Sequence, residues 1–113
     1  MLIQDWEVLW PQAKDFLDYA LEHVDFRGKP WLACPIIPAS SPTLYPIKCD
    51  EMYFNLDSYC YIKTNVEHGK YYSTKLLDAR CFQLGGIKML YSSTFIDQEY
   101  FDLIYNGSEY LQL

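Results

Sequence analysis

The sequence predicts an α+β domain, an antiparallel sheet of four to five strands with an N-terminal and a C-terminal helix packed on one face. Three observations lead there. Apolar residues between Pro11 and Val24 recur at helical spacing, the pattern after Asp50 changes to a period of two, and a second helical pattern follows Ser93. At 113 residues, half of them apolar and about a fifth charged, the chain has the size and composition of a single compact domain over 1–113.

The first helix is the clearest element. Ala13, Phe16, Leu17, Ala20, Leu21 and Val24 form one stripe, and Pro11 suits the first turn, where a backbone N–H has no helical partner to lose. A short helix before it, Asp5 to Trp10, follows from Trp6, Leu9 and Trp10 sharing a side, with Asp5 as its cap. Five of the six prolines fall between residues 30 and 46, which excludes a continuous helix or a central strand. An ordered loop is expected there, with an edge-strand piece at Trp31–Cys34, wrapped on the core by its own apolar residues.

Beyond the prolines, Met52, Phe54 and Leu56 alternate with Tyr53 and Asn55. A strand from Ser58 to Val66 is read as turning through Glu67-His68-Gly69-Lys70 into Tyr71–Leu77, which makes a hairpin over 58–77. Arg80–Leu84 and Ile87–Tyr91 flank Gly85-Gly86, a pair suited to a tight turn, which makes a second hairpin over 80–91. Ser93 or Thr94 then caps a last helix through Ile96, Tyr100, Phe101, Leu103 and Ile104, ended by Asn106-Gly107.

Several function classes lack their residues. No apolar run approaches the ~18 residues of a membrane span, and Met1-Leu2-Ile3-Gln4-Asp5 has none of the regions of a signal peptide, so a cytoplasmic protein with no membrane contact is expected. Cys34, Cys49, Cys60 and Cys81 show no Cys-x-x-Cys spacing and read as small core hydrophobes in a reducing compartment, or as two disulfides if the chain is exported. His23 and His68 are the only imidazoles; none of the spacings is that of a metal-ligand pair, and nothing calls for a cofactor. A cysteine, His68 and Asp57 or Asp78 could supply a nucleophile, its base and an orienting carboxylate, so a small enzyme or ligand-binding domain is an alternative. Asp50-Glu51 and Asp97/Glu99 read as solvated carboxylates, and Gly85-Gly86 lacks the Lys-Ser/Thr of a phosphate loop.

Charge carries the functional expectation. Residues 1–25 hold Asp5, Glu7, Asp15, Asp18, Glu22 and Asp25 against Lys14, residues 93–113 hold acids only, and the middle is mildly basic within a net charge of −6. Asp15, Asp18, Glu22 and Asp25 lie within roughly 80° of arc on the polar side of the first helix, an acidic ridge. Tyr19 lies beside that ridge, and Tyr59, Tyr61, Lys63, Asn65 and Tyr72 would share a face of the first hairpin. Aromatic and basic residues together suit single-stranded nucleic acid, yet the acidic ends oppose phosphate, so direct nucleic-acid binding is not expected. The expectation is a non-catalytic protein that binds and inhibits a basic protein partner: an immunity protein against a nuclease-type toxin, or an anti-defence, anti-CRISPR-like inhibitor of a nucleoprotein complex. Asp15, Asp18, Glu22 and Asp25 would steer the partner, and Tyr19, Tyr59 and Tyr61 would anchor it. A homodimer or a subunit of a larger complex is the remaining alternative.

Overall fold

In the computed structural model, which describes residues 1–40, 44–63 and 66–113, the chain forms a four-stranded antiparallel sheet with helices, an α+β arrangement. Strand β1 spans Leu2–Leu9, and a 3-10 turn at Trp10–Gln12 leads into helix α1, Ala13–His23. Then follow β2 (Leu32–Ile36), β3 (Tyr53–Cys60), α2 (Tyr72–Gln83), β4 (Ile87–Lys88), α3 (Gln98–Ile104) and α4 (Gly107–Tyr110). The strand order is β2-β3-β1-β4. β1 is therefore central, paired with β3 from Leu2 opposite Cys60 to Leu9 opposite Tyr53.

The stretch read as a helix, Asp5 to Trp10, is thus mostly strand. Trp6, Leu9 and Trp10 fit a helical side, but Leu2, Gln4, Trp6 and Val8 also alternate, and the sheet buries both sides of the segment where one helical turn would bury only one. The hairpin expected over 58–77 is replaced by the end of β3 at Cys60 and by helix α2. Thr64 and Asn65 of that hairpin, and Pro42 of the proline-rich segment, lie outside the described residues. The buried residues of α2 are Ser73, Thr74, Leu77, Asp78, Cys81 and Phe82, a helical stripe whose polar half hides it from any reading of apolar periodicity.

The second hairpin, over 80–91, is overturned at Gly85-Gly86. Gly86 N donates to Cys81 O at 2.8 Å and Gly85 N to Phe82 O at 3.0 Å, with Gly85 at φ +75°, the paired bonds of a Schellman helix end. A hairpin turn and this helix end both call for glycine at positive φ, so the dipeptide alone does not separate them. A Cβ on Gly86 would come within 2.5 Å of Glu7 O, so the chain can pass β1 here only as glycine. At the last helix, Asp97 is the cap, accepting from Tyr100 N at 2.8 Å in place of Ser93 or Thr94, and the helix ends before Asn106, which takes a left-handed φ of 52°.

Two apolar clusters cover the sheet. On one face α1 and α2 bring Phe16, Ala20, Leu77 and Cys81 onto Leu2, Trp6, Val8 and Leu56; Trp6 meets Phe16 edge-on at 6.0 Å. The other cluster gathers Ile47, Tyr53, Ile87 and Tyr105, with Phe82 from the end of α2 and the partly buried Tyr45 and Phe101. The C-terminal helix therefore does not share the face of α1, as the sequence suggests; α2 takes that place. Tyr105, just after α3, fixes the C-terminal segment by accepting from Lys88 N at 2.9 Å and donating to Lys88 O at 2.8 Å.

Asp78 ties α2 to the sheet. It accepts from Trp6 Nε1 at 2.8 Å and from Lys88 Nζ at 3.2 Å, and Lys88 Nζ also donates to Ser93 O at 2.7 Å. Burial pushes the Asp78 carboxyl up and the Lys88 ammonium down, each opposed by the charge of the other. Lys88→Met leaves Asp78 buried without its cation and is expected to cost about 3–5 kcal/mol, measured as a loss of urea midpoint, whereas adding Asp78→Asn should recover most of it. Equal midpoints for wild type and Lys88→Met would show that the pair does not hold α2.

Candidate functional site

Helix α1 places its acids as the sequence suggests. Asp15, Asp18 and Glu22 are exposed along it, and Asp25 is exposed just beyond. Lys14 and Asp18 form an exposed i,i+4 ion pair at 2.5 Å, a weak, solvent-screened contact. The carboxylate of Asp25 accepts from Arg27 N at 2.9 Å, and Arg27 and Gly28 take φ angles of +57° and +66°, so the chain reverses tightly after the helix. Phe26 is buried by that reversal, with its ring 4.2 Å from that of Trp31.

Between the C-terminal half of α1 and this loop lies a groove of about 900 Å³, lined by Leu17, Leu21, Phe26, Trp31 and Ala33. Glu22 and Asp25 stand on the helix side of it, Arg27 and Lys29 on the loop. The apolar stripe of α1 is wider than the sheet covers. Phe16 and Ala20 are fully buried, while Leu21 remains 60% exposed in the groove.

The tyrosines named with the ridge are not beside the groove. Tyr19 is stacked on His23 at 4.0 Å and has the Arg80 guanidinium 5.4 Å from its ring, so it joins α1 to α2. Tyr59 and Tyr61 are exposed, but the alternation of β3 sends Tyr59 to the face opposite α1, where its hydroxyl lies 2.7 Å from that of Tyr91. The groups that the fold does bring to the ridge are Leu21 and Trp31. In the sequence Leu21 belongs to the apolar stripe of the first helix and Trp31 to the edge-strand piece, and neither pattern brings the two together. Asp78, considered for a nucleophile triad, is held by Trp6 and Lys88 instead. His68 stacks on Tyr72 at 4.4 Å, with Glu67 3.7 Å from its Nε2. Among the described residues no group of three His, Cys, Asp or Glu side chains is arranged to hold a metal ion.

The sequence reading also missed a buried polar network under the second face. Glu7 is fully buried; its Oε1 accepts from Asn55 Nδ2 at 2.8 Å and its Oε2 from the Tyr45 hydroxyl. Asp5 is 8% exposed and accepts from the Tyr91 hydroxyl through Oδ2, while its Oδ1 has no hydrogen-bond partner among the described residues. Desolvation raises Glu7 to about 7, helped by the charge of Asp5 and opposed by the bonds from Tyr45 and Asn55. Burial and the neighbouring Glu7 carboxylate push Tyr45 far above the usual tyrosine range, which keeps its hydroxyl a donor. With no exposed surface, Glu7 meets no substrate, and the network acts within the fold.

Comparison with family models, with curated proteins and with solved structures finds no match to this chain. The function therefore rests on geometry.

Glu7 makes stability depend on pH. Between about 4.5 and 7 the folded protein keeps a proton that the unfolded chain releases, so this group's contribution falls as pH rises through that window, by on the order of 3 kcal/mol, and then levels off. Glu7→Gln preserves the shape and carries no titrating proton. The variant should match or trail wild type at pH 5 and exceed it at pH 8, as read from urea midpoints; a difference between the two proteins that is the same at both pH values would contradict the raised carboxyl.

Proposed function

We propose that the chain is a non-catalytic acidic interaction protein that seats a basic protein partner on the α1 face and blocks that partner's working surface. The observation that carries this reading is the groove at the end of α1. It sets an exposed apolar side chain, Leu21, beside the carboxylates of Glu22 and Asp25, with Asp15 and Asp18 extending the same sign of charge along the helix. Clustered exposed charge raises the rate of encounter with an oppositely charged surface, and an apolar anchor that loses water on docking slows departure.

A partner that handles nucleic acid fits this chemistry, because its basic surface is built for phosphate and the carboxylates of α1 offer the same sign. Neutralising a nuclease-type toxin and inhibiting a nucleoprotein defence complex are the concrete versions, both met in the cytoplasm. Among the described residues no helix is long and apolar enough to cross a membrane, which agrees with a partner reached from solution.

The test is capture of partners from the native lysate at low and moderate salt, followed by binding kinetics with the protein so identified. Asp18→Lys with Glu22→Lys should lower the association rate by about tenfold at low salt and flatten its salt dependence. Leu21→Ala should quicken dissociation and leave thermal stability within about 0.5 kcal/mol, since the side chain is largely exposed. Capture of no basic protein at either salt, or association rates indifferent to the charge reversal, would overturn the reading.

A further inference from the structure

A second site stands at the start of α2, independent of the α1 groove. A partly open cleft of about 260 Å³ lies between the first residues of β1, the segment after β3, the N-terminus of α2 and Ser92-Ser93. Lys63 and Lys70 line it, and no carboxylate does among the described residues, in a chain that carries fifteen Asp and Glu. α2 has twelve residues and starts without a side-chain cap, so the first-turn N–H groups of Ser73 and Thr74 have no capping acceptor.

The hydroxyls give a separate indication. Ser73 and Thr74 are 7% and 6% exposed, both line the cleft, and neither side chain makes a hydrogen bond to another described residue. Both residues are more than nine-tenths buried and what remains accessible opens onto the cleft, so two adjacent hydroxyls without a partner among the described residues stand as donors for a group that is all acceptor. Helix N–H groups, hydroxyls and lysines converging on one small volume are the means by which proteins hold oxyanions.

We propose that this cleft binds a phosphate-type dianion, either inorganic phosphate or the phosphoryl group of a small monoester. Ser73 and Thr74 donate through their amides and hydroxyls, and Lys63 and Lys70 close the site with charge. The volume corresponds to roughly nine waters of bulk liquid, room for a phosphoryl group with a short organic arm and too little for drug-sized ligands, which occupy about 300 Å³ or more. Asp25 and Glu67 line the neighbouring, more open cleft that shares Lys63 and Ser73, so entry is favoured from the side of Lys70.

The experiment is amide NMR titration of the whole chain with inorganic phosphate, then with glycerol phosphate, each against chloride at matched ionic strength. Saturable shifts centred on the amides of Ser73 and Thr74 support the site. Binding of both probes identifies a monoester site, and binding of inorganic phosphate alone a free-phosphate site. Lys63→Gln with Lys70→Gln, two exposed positions that leave the core intact, should raise Kd about tenfold or more through loss of charge-assisted bonds. Thr74→Val, which keeps the shape and removes the hydroxyl, should also weaken binding. Absence of saturable shifts, equal shifts with chloride, or unchanged affinity in the lysine double variant would overturn the proposal.

Discussion

Strand β1 is central, buried on both faces, and nonetheless carries Gln4, Asp5 and Glu7; the rest of the fold is arranged to supply their partners. Desolvating a carboxylate costs several kcal/mol unless donors replace the lost water. Here the donors come from segments far away in sequence. Tyr45 and Asn55 reach Glu7, Tyr91 reaches Asp5, and Gln4 donates its amide to Ser93 O at 2.9 Å. The bonds with Tyr45, Tyr91 and Ser93 pin loops to this strand, while Asn55 adds a side-chain link from the paired strand β3, so the loop around Tyr45 and the segment 91–93 are held by polar contacts as well as by apolar burial. A slip of one residue in the β1–β3 register would send every one of these groups to the wrong face.

The same logic explains the high tyrosine content. Tyr45, Tyr91 and Tyr105 each combine an aromatic body with a hydroxyl that meets a buried acceptor, the first two on carboxylates and the third on the backbone of β4. β4 is only two residues long, yet Lys88 within it is bonded by Tyr105 on its backbone and by Asp78 and Ser93 on its ammonium. Three other parts of the chain therefore meet at this short strand, besides β1, with which it pairs. A longer β4 would add ladder bonds, but the fold closes this edge with side chains.

How much of this was legible follows from where polar residues face. α1 was readable from end to end because its inward side is apolar, and β3 was readable from the alternation of Phe54 and Leu56 with Tyr53 and Asn55. β1 and α2 were not. Both direct acids or hydroxyls inward, Asp5 and Glu7 in the strand and Ser73, Thr74 and Asp78 in the helix, and a reading that assigns polar residues to solvent then returns the wrong period. The site divides in the same way. The acidic ridge was visible as helical spacing of Asp15, Asp18 and Glu22, whereas the groove depends on how loop 24–31 folds back, which local spacing does not encode.

Burial also revises the meaning of the charge pattern. Asp5 and Glu7, counted with the acidic N-terminal segment, are inside the sheet, so the exterior field there belongs to α1 and Asp25 alone. The basic middle is similarly concentrated, since Lys88 is buried while Lys63 and Lys70 stand at the start of α2. α1 and α2 lie side by side on one face of the sheet, and the two fields meet where Lys63 N donates to Asp25 O at 3.1 Å. That face is therefore dipolar, acidic along α1 and basic at the mouth of α2. A basic partner approaching it, as proposed, would be attracted at α1 and repelled at the lysines, which would set its orientation as well as its sign, and a phosphate group in the α2 cleft would weaken that repulsion.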